Sequence, residues 1–218
     1  MRIKKAVFCL LLLSGCKSTS YFISSNQVSK EKVILVLRNQ VKISGEININ
    51  FEAGFNTMGE QKPFIQFIPE GKSVVEDINL NDIVGYSMGA DFFALKKIDV
   101  SLNETYRLLF VKRLTAEKSK IQLYELYESG IGNYSGETHY SYYLSFPSYD
   151  LLQTMNTKSA SLIPYFERKM SILVSDCPVL AEKIMSKETG YFLPLVSFNA
   201  KKVPEVLLKI IDEYNQCK

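Results

Sequence analysis

Residues 33–49 read VILVLRNQVKISGEINI, and this stretch decides the fold. In its second half, polar residues alternate with apolar or small ones, which are Val41, Ile43, Gly45, Ile47 and Ile49. A period of two is typical of a half-buried antiparallel strand. The apolar run at 33–37 precedes this strand across Arg38-Asn39-Gln40, a polar segment that suits a hairpin turn. The stretch therefore predicts two paired strands.

Strand-like runs continue beyond this hairpin as far as Met155. They fall at Phe64–Ile68, Ile83–Ser87, Phe92–Ile98, Tyr106–Leu114, Lys120–Tyr127, Tyr140–Phe146 and Leu151–Met155. A second hairpin is expected around Glu117-Lys118-Ser119. Because no helical period separates these runs, the pattern favours an antiparallel β-meander, curled into a sandwich or partial barrel, over a parallel α/β sheet.

The apolar spacing becomes helical after residue 157. A first helix is predicted from Ile163 to Val174, and Asp176-Cys177-Pro178 is expected to end it and to cap a second helix. A last helix carries a continuous apolar stripe, formed by Val203, Val206, Leu207, Ile210, Ile211, Tyr214 and Cys217. The predicted fold class is α+β. One globular domain covers 32–218, with a β-rich body at 32–157 and a C-terminal segment of two to three helices at 158–218.

The first sixteen residues have the layout of an export signal. Three basic residues, Arg2, Lys4 and Lys5, precede the apolar run Ala6–Leu13, and small residues follow it. As a helix this run is about 12 Å long, which is too short to cross a bilayer core of about 30 Å. The serine-rich residues after it predict a flexible tether over 16–31.

The segment Leu13-Ser14-Gly15-Cys16 resembles the lipobox of bacterial lipoproteins. The resemblance implies that residues 1–15 are a removable signal peptide and that Cys16 carries palmitate or related acyl chains. The alternative is an ordinary signal peptide with an incidental cysteine. Loss of residues 1–15 removes three basic residues, which lowers Lys+Arg from 26 to 23 and leaves Asp+Glu at 23. A mature chain without net charge excludes nucleic-acid binding as its function.

Two cysteines remain once the leader and Cys16 are set aside. Cys177 and Cys217 lie 40 positions apart, and in an exported chain they are expected to form one disulfide. A zinc site is disfavoured, because neither a C-x-x-C pair nor a nearby histidine accompanies them. We therefore expect no metal and no cofactor.

Gly85-Tyr86-Ser87-Met88-Gly89 matches the G-x-S-x-G nucleophile elbow of α/β-hydrolases. In that interpretation Ser87 attacks an acyl carbon, His139 is the general base, and Asp99 or Asp91 orients the imidazole. The motif requires a strand-to-helix turn in a parallel sheet, and the surrounding sequence shows no helical crossover. The sequence favours a turn between strands, with a serine esterase as the alternative.

Tyrosines cluster around His139, the only histidine. Seven of the 13 tyrosines fall between residues 124 and 149. They are interpreted either as half-buried strand residues or as an aromatic surface for a glycan, a peptide or a partner protein. The candidate members of such a surface are Tyr134, Tyr140, Tyr142 and Tyr143. His139 itself is expected at the surface or at a strand end, because no second histidine accompanies it.

Three segments resemble a group of uncharacterised exported proteins and lipoproteins from Bacteroidetes. They are the hairpin at 33–47, the segment LNDIVGY at 80–86, and a tail in which Asp176-Cys177-Pro178 is followed by EYNQC at 213–217. The resemblance implies a β-rich body with a helical, disulfide-closed end. It also implies that the Ser87 motif derives from a segment that is not a nucleophile site in those proteins.

Together these features predict a lipid-anchored bacterial envelope protein at the outer membrane. No acidic cluster follows Cys16, which favours the periplasmic side. The expected role is non-catalytic, as a binding or assembly component. The expected partners are membrane lipid, through the acylated Cys16, and an envelope protein or a glycan.

Overall fold

The computed structural model describes residues 25–50, 63–99, 106–129, 138–146, 152–154, 165–193 and 202–217. The strands are β1 Gln27–Leu37, β2 Lys42–Asn50, β3 Phe64–Pro69, β4 Glu76–Asn79, β5 Ile83–Met88, β6 Asp91–Asp99, β7 Tyr106–Arg113, β8 Gln122–Ser129, β9 Thr138–Ser145 and β10 Gln153–Thr154. The helices are α1 Phe166–Leu173, α2 Pro178–Met185 and α3 Val203–Gln216. The predicted leader, Cys16 and Tyr134 lie outside the described residues.

All ten described strands form one antiparallel sheet, in the order β10-β9-β8-β7-β6-β5-β1-β2-β3-β4. The sheet is open, with β4 and β10 as its edges. A single meander would place β5 beside β4, and that expectation is wrong. The chain instead forms two meanders, which join where Ile34 and Leu35 of β1 pair with Ser87 and Tyr86 of β5. The α+β class, with an antiparallel body followed by helices, is confirmed.

One hydrophobic core is enclosed by the sheet itself. Its described members come from β1 to β7 and a short 3₁₀ turn, and no α-helix contributes to it. Leu35, Phe67 and Phe110 in this cluster are completely buried. Because alternate residues of a strand share one face, such burial without a covering helix requires the sheet to curve over its own inner face.

The helices form a second core against β8 and β9. Leu207 and Ile210 of α3 are buried in the same cluster as Leu123 of β8 and Leu144 of β9. The hydrophobic stripe predicted for the last helix is therefore the face that packs on the sheet. A smaller third cluster, which includes Val111 and Tyr143, covers the other face of β6 to β9.

The predicted tether ends earlier than expected. Strand β1 begins at Gln27, so residues 27–31 belong to the sheet and the body begins at Ser25 rather than at residue 32. Asn26 and Val28 are both buried, although the surrounding residues are polar. The polar composition of this segment is misleading, because the side chain of Asn26 bonds to main-chain groups inside the fold.

The start of β1 fills a gap between β7 and β8. These two strands pair at only two register positions, Lys112–Glu125 and Arg113–Tyr124, and then separate. Leu114 N donates to Leu123 O on β8, and Phe110 lies four residues earlier, so its main-chain groups face the same side. There Asn26 Nδ2 donates to Phe110 O over 3.1 Å, and Phe110 N donates to Asn26 Oδ1 over 2.9 Å. One side chain thus takes the place of a strand.

Neighbouring groups extend this contact. Ser25 Oγ donates to Phe110 O over 2.6 Å, and the buried Tyr86 hydroxyl donates to Ser25 O over 3.0 Å. Burial raises the pKa of Tyr86 well above its ordinary value, so its phenol remains a donor. The two residues before β1 are therefore joined to both β5 and β7.

Two further expectations differ from the structure. Asp176 does not cap α2, since Cys177 occupies the N-cap position without a side-chain bond. The Tyr214 hydroxyl instead donates to both Asp176 oxygens, at 2.8 and 2.9 Å. Strand β4 was not predicted, because three of its four residues are polar and it pairs only with β3 at the sheet edge.

Candidate functional site

Ser87 lies inside β5, between two antiparallel neighbours. It pairs with Ile34 of β1 and with Phe92 of β6. Gly89, at φ +60°, lies in the turn that joins β5 to β6. This positive φ is readily adopted by glycine and suits a tight hairpin. The G-x-S-x-G segment is thus a strand followed by a hairpin, whereas a nucleophile elbow is a strand-to-helix turn.

The proposed triad partners of Ser87 lie elsewhere in the sheet. The backbone of His139 belongs to β9, opposite Glu128. Four inter-strand steps separate β5 from β9, or about 19 Å along the sheet. Asp99 ends β6, seven residues beyond Phe92, which is about 23 Å along the strand. The sheet does not bring Ser87, His139 and Asp99 together, and this geometry does not support the esterase alternative.

Ser87 instead belongs to an open groove on the outer face of the sheet, away from the helices. The groove has a volume of about 560 Å³ and lies over β1, β2, β3 and β5. Ile34 forms its floor and is 43% exposed. Ser44 and Ser87 flank Ile34 as its direct partners on β2 and β5. We refer to this feature as the outer groove.

A row of polar side chains crosses the inner face between the two large cores. Lys112 of β7 makes an ion pair with Asp91 of β6, with Nζ and Oδ2 2.8 Å apart. Glu125 of β8 is the register partner of both Lys112 and Tyr142 of β9. The row Asp91, Lys112, Glu125 and Tyr142 therefore spans four adjacent strands. It crosses the sheet at the short β7–β8 pairing.

Burial controls the protonation of this row. It raises the pKa of the Glu125 carboxyl above its ordinary value, although the hydrogen bond from Tyr142 and the charge of Lys112 act in the opposite direction. Burial also raises the pKa of Tyr142, and the neighbouring Glu125 carboxylate adds to the shift. Tyr142 is therefore a phenol donor to Glu125. Glu125 takes up a proton at higher pH than an exposed glutamate does.

Glu125→Gln tests this shift through the pH dependence of stability. A carboxyl whose pKa is raised on folding contributes stability that is lost as pH rises through the folded-state value. We expect the variant to gain stability relative to the wild type over the pH range just above the ordinary glutamate pKa. Urea unfolding midpoints at a series of pH values measure the difference between the two proteins.

Glu213→Gln is the control, with the opposite sign. Hydrogen bonds from Lys183 and Tyr191 lower the pKa of Glu213, so its contribution is present at neutral pH and is lost as pH falls. The deficit of this variant should therefore shrink in acid. Equal pH profiles for Glu125→Gln and the wild type would contradict the assignment of Glu125.

The four candidate tyrosines do not form one exposed surface. Tyr142 and Tyr143 are buried and belong to clusters on opposite faces of the sheet. Tyr140 is 40% exposed and packs edge-to-face on Tyr127, with ring centroids 5.5 Å apart. The expectation of an aromatic surface that includes Tyr142 and Tyr143 is wrong, because strand alternation turns them inward on either side.

The two remaining cysteines meet at the end of the helical layer. The Cα atoms of Cys177 and Cys217 lie 5.9 Å apart, and their sulfur atoms are at disulfide distance. The predicted pairing is confirmed. It joins the residue before α2 to the residue after α3. Burial and the hydrogen bond to Asp176 raise the pKa of the adjacent Tyr214 to about 12.

The last turn of α3 is also bound to the sheet. Lys120 N, at the end of the β7–β8 turn, donates to Asn215 Oδ1 over 2.8 Å. Lys120 Nζ donates to Cys217 O over 2.5 Å. Glu213 pairs with Lys183 of α2 over 2.7 Å. The disulfide therefore closes an end that already contacts two other elements.

Sequence reasoning missed Lys112 and Glu125, although a signal was present. Glu125 occupies the apolar phase of its strand, in line with Ile121, Leu123 and Tyr127. Lys112 is likewise in phase with Phe110 and Leu114. A charged residue in the apolar phase of two consecutive strands predicts a polar seam across a sheet face.

A scan against protein-family models finds no match, and searches of curated proteins and of solved structures find none either. The relation to exported Bacteroidetes proteins stays a prediction. None of the described helices is long and apolar enough to cross a membrane. Within the described ranges, no three His, Cys, Asp or Glu side chains are grouped as metal ligands.

Proposed function

We propose that this chain is a lipid-anchored bacterial envelope protein, acylated at Cys16, that faces the periplasm from the outer membrane. We further propose that it is a non-catalytic binding or assembly component. The observation that carries the proposal is the Cys177–Cys217 pair at disulfide distance in a chain whose first residues have the layout of an export signal. Disulfides persist in oxidising compartments such as the periplasm.

The early start of the body supports attachment close to the lipid surface. Nine positions separate Cys16 from Ser25, where the described fold begins. Fully extended, they reach about 30 Å. A single acyl chain anchors only marginally, whereas the two or more chains implied by a lipobox hold a protein stably. The body would therefore remain near the membrane.

The groove and the placement of Ser87 support a binding role over catalysis. Ser87 lies within a paired strand, away from the strands of His139 and Asp99. The outer groove is open and carries charged and hydroxyl side chains around the exposed Ile34. Concave sites with a few convergent polar groups are the usual places where proteins bind small ligands.

Cys16→Ser tests the anchor. We expect wild-type chain produced in a Gram-negative host to incorporate radiolabelled palmitate and to fractionate with membranes. The variant should lose the label and leave the membrane fraction, because its residue 16 has no thiol to acylate. Cys9→Ser is the matched control, since Cys9 lies in the leader, and it should keep the label. An unlabelled wild type, or label retained by Cys16→Ser, would contradict the proposal.

A further inference from the structure

We propose that the outer groove binds a short peptide or amino acid that carries both a free ammonium and a free carboxylate group. This deepens the binding role proposed above and rests on it, but not on the anchor at Cys16. The proposal follows from the arrangement of charges, hydroxyl groups and apolar surface in the groove.

The register of the sheet separates the charges of the groove. Lys32 lies on β1, next to β5, and Glu46 lies opposite it on β2. Glu70 follows β3, and its N–H donates to Ser44 O over 2.8 Å. One side of the groove is therefore cationic, and the other carries two carboxylates.

These charged groups are available to a ligand. Among the described residues, Lys32, Glu46 and Glu70 have no partner within ion-pair distance, whereas Lys72 at the rim pairs with Glu76 at 2.9 Å. Available charges of both signs around a concave surface are complementary to a dipolar ligand.

The dimensions suit an extended dipeptide. From β1 to β3 is two inter-strand steps, or about 10 Å, and an extended dipeptide is about 7 Å long. The carboxylate of the ligand would bind Lys32, and its ammonium would bind Glu46 and Glu70. The hydroxyl groups of Ser44 and Ser87 would bond to its amide.

The apolar floor gives a reason for side chains on the ligand. Ile34 is a large exposed apolar residue between two serines, and it offers contact to an aliphatic side chain. An uncharged glycan would remove Lys32 and the two carboxylates from water without pairing them, which is unfavourable. The groove therefore favours a zwitterion over a neutral sugar.

The test is a calorimetric titration of the full chain in detergent. The probes are alanyl-alanine, its N-acetyl form, its C-terminal amide and the neutral disaccharide maltose. We expect saturable binding of alanyl-alanine and binding weaker by about tenfold or more when either end is blocked, because each block removes a charge-assisted contact. Maltose should not compete.

Variants assign the two ends of the ligand. Lys32→Gln should weaken alanyl-alanine about tenfold and leave the affinity for the amide unchanged, because both lack the carboxylate contact. Glu46→Gln should weaken alanyl-alanine but not the N-acetyl form. Lys118→Gln and Glu182→Gln, on exposed residues outside the groove, are the matched controls and should bind as the wild type does.

Three outcomes would overturn the assignment: no saturable binding of alanyl-alanine, equal affinity for the blocked forms, or competition by maltose. Circular dichroism of each variant establishes that it is folded. Acylation of Cys16 is measured separately, so a chain that takes up palmitate but binds no dipeptide contradicts the groove assignment alone. A chain that binds the dipeptide without acylation contradicts only the anchor.

Discussion

Cys177→Ala with Cys217→Ala is expected to lower the free energy of unfolding by about 4 kcal/mol, because the bond closes a loop of 40 residues. The bond limits the conformations of the unfolded chain, and its loss restores them. In a domain whose total stability is about 5–15 kcal/mol, this is a large share. The effect should be largest at α3, whose last turn then depends on Tyr214, Asn215 and Glu213.

Urea unfolding with and without a reducing agent measures this contribution. Reductant should shift the wild-type midpoint towards that of the double variant. The double variant itself is the control, since it has no bond to reduce and its midpoint should not move. A wild-type midpoint that is insensitive to reductant, while free-thiol titration shows Cys177 and Cys217 reduced, would contradict the stabilising role.

Asn26→Ala should lower the free energy of unfolding by about 2 kcal/mol. The substitution removes the acceptor of the Phe110 N–H in a buried gap where water has little access, since Asn26 is 3% exposed. Ser25 still bonds to the Phe110 carbonyl, so the loss falls mainly on the donor. The start of β1 should also detach more readily from β7.

Asn39→Ala is the matched control for this effect. Asn39 Oδ1 also accepts a main-chain hydrogen bond, from Val41 N over 3.1 Å, but in an exposed turn. Water replaces a lost bond there, so the change should be about 0.5 kcal/mol. Thermal or urea unfolding of both variants gives the comparison. Equal losses would mean that Asn26 does not join β1 to β7 in the way described.

Local patterns predicted most of the strands and all three described helices. The alternation at 41–49 and the turn at Arg38-Asn39-Gln40 are local signals, and β2 and its hairpin follow them closely. The stripe from Val203 to Tyr214 likewise predicted α3, because the periodicity of a helix depends only on near neighbours.

The misses all involve contacts between distant parts of the chain. The pairing of β5 with β1 joins Ser87 to Ile34, and no local period encodes it. Asn26 looked like tether because its partner, Phe110, lies 84 positions away. Asp176 matched a helix cap but bonds to Tyr214, 38 positions away. A polar residue has several possible partners, and the tertiary fold selects among them.

The candidate site was predicted only in part. The Ser87 motif drew attention to β5, and Ser87 does line the outer groove, but Lys32, Glu46 and Glu70 join it through register and through the loop after β3. Register follows from the complete strand order, so the groove becomes visible only once the sheet is assembled.

The most direct test of the account is mass spectrometry of the intact protein isolated from bacterial envelopes without reductant. The account predicts a chain that begins at Cys16 and carries acyl chains there. It also predicts a mass lower by two hydrogens than that of the reduced protein, with Cys177 and Cys217 in one cross-linked peptide after digestion. A chain that retains residues 1–15, or one in which both Cys177 and Cys217 react with an alkylating agent, would contradict it.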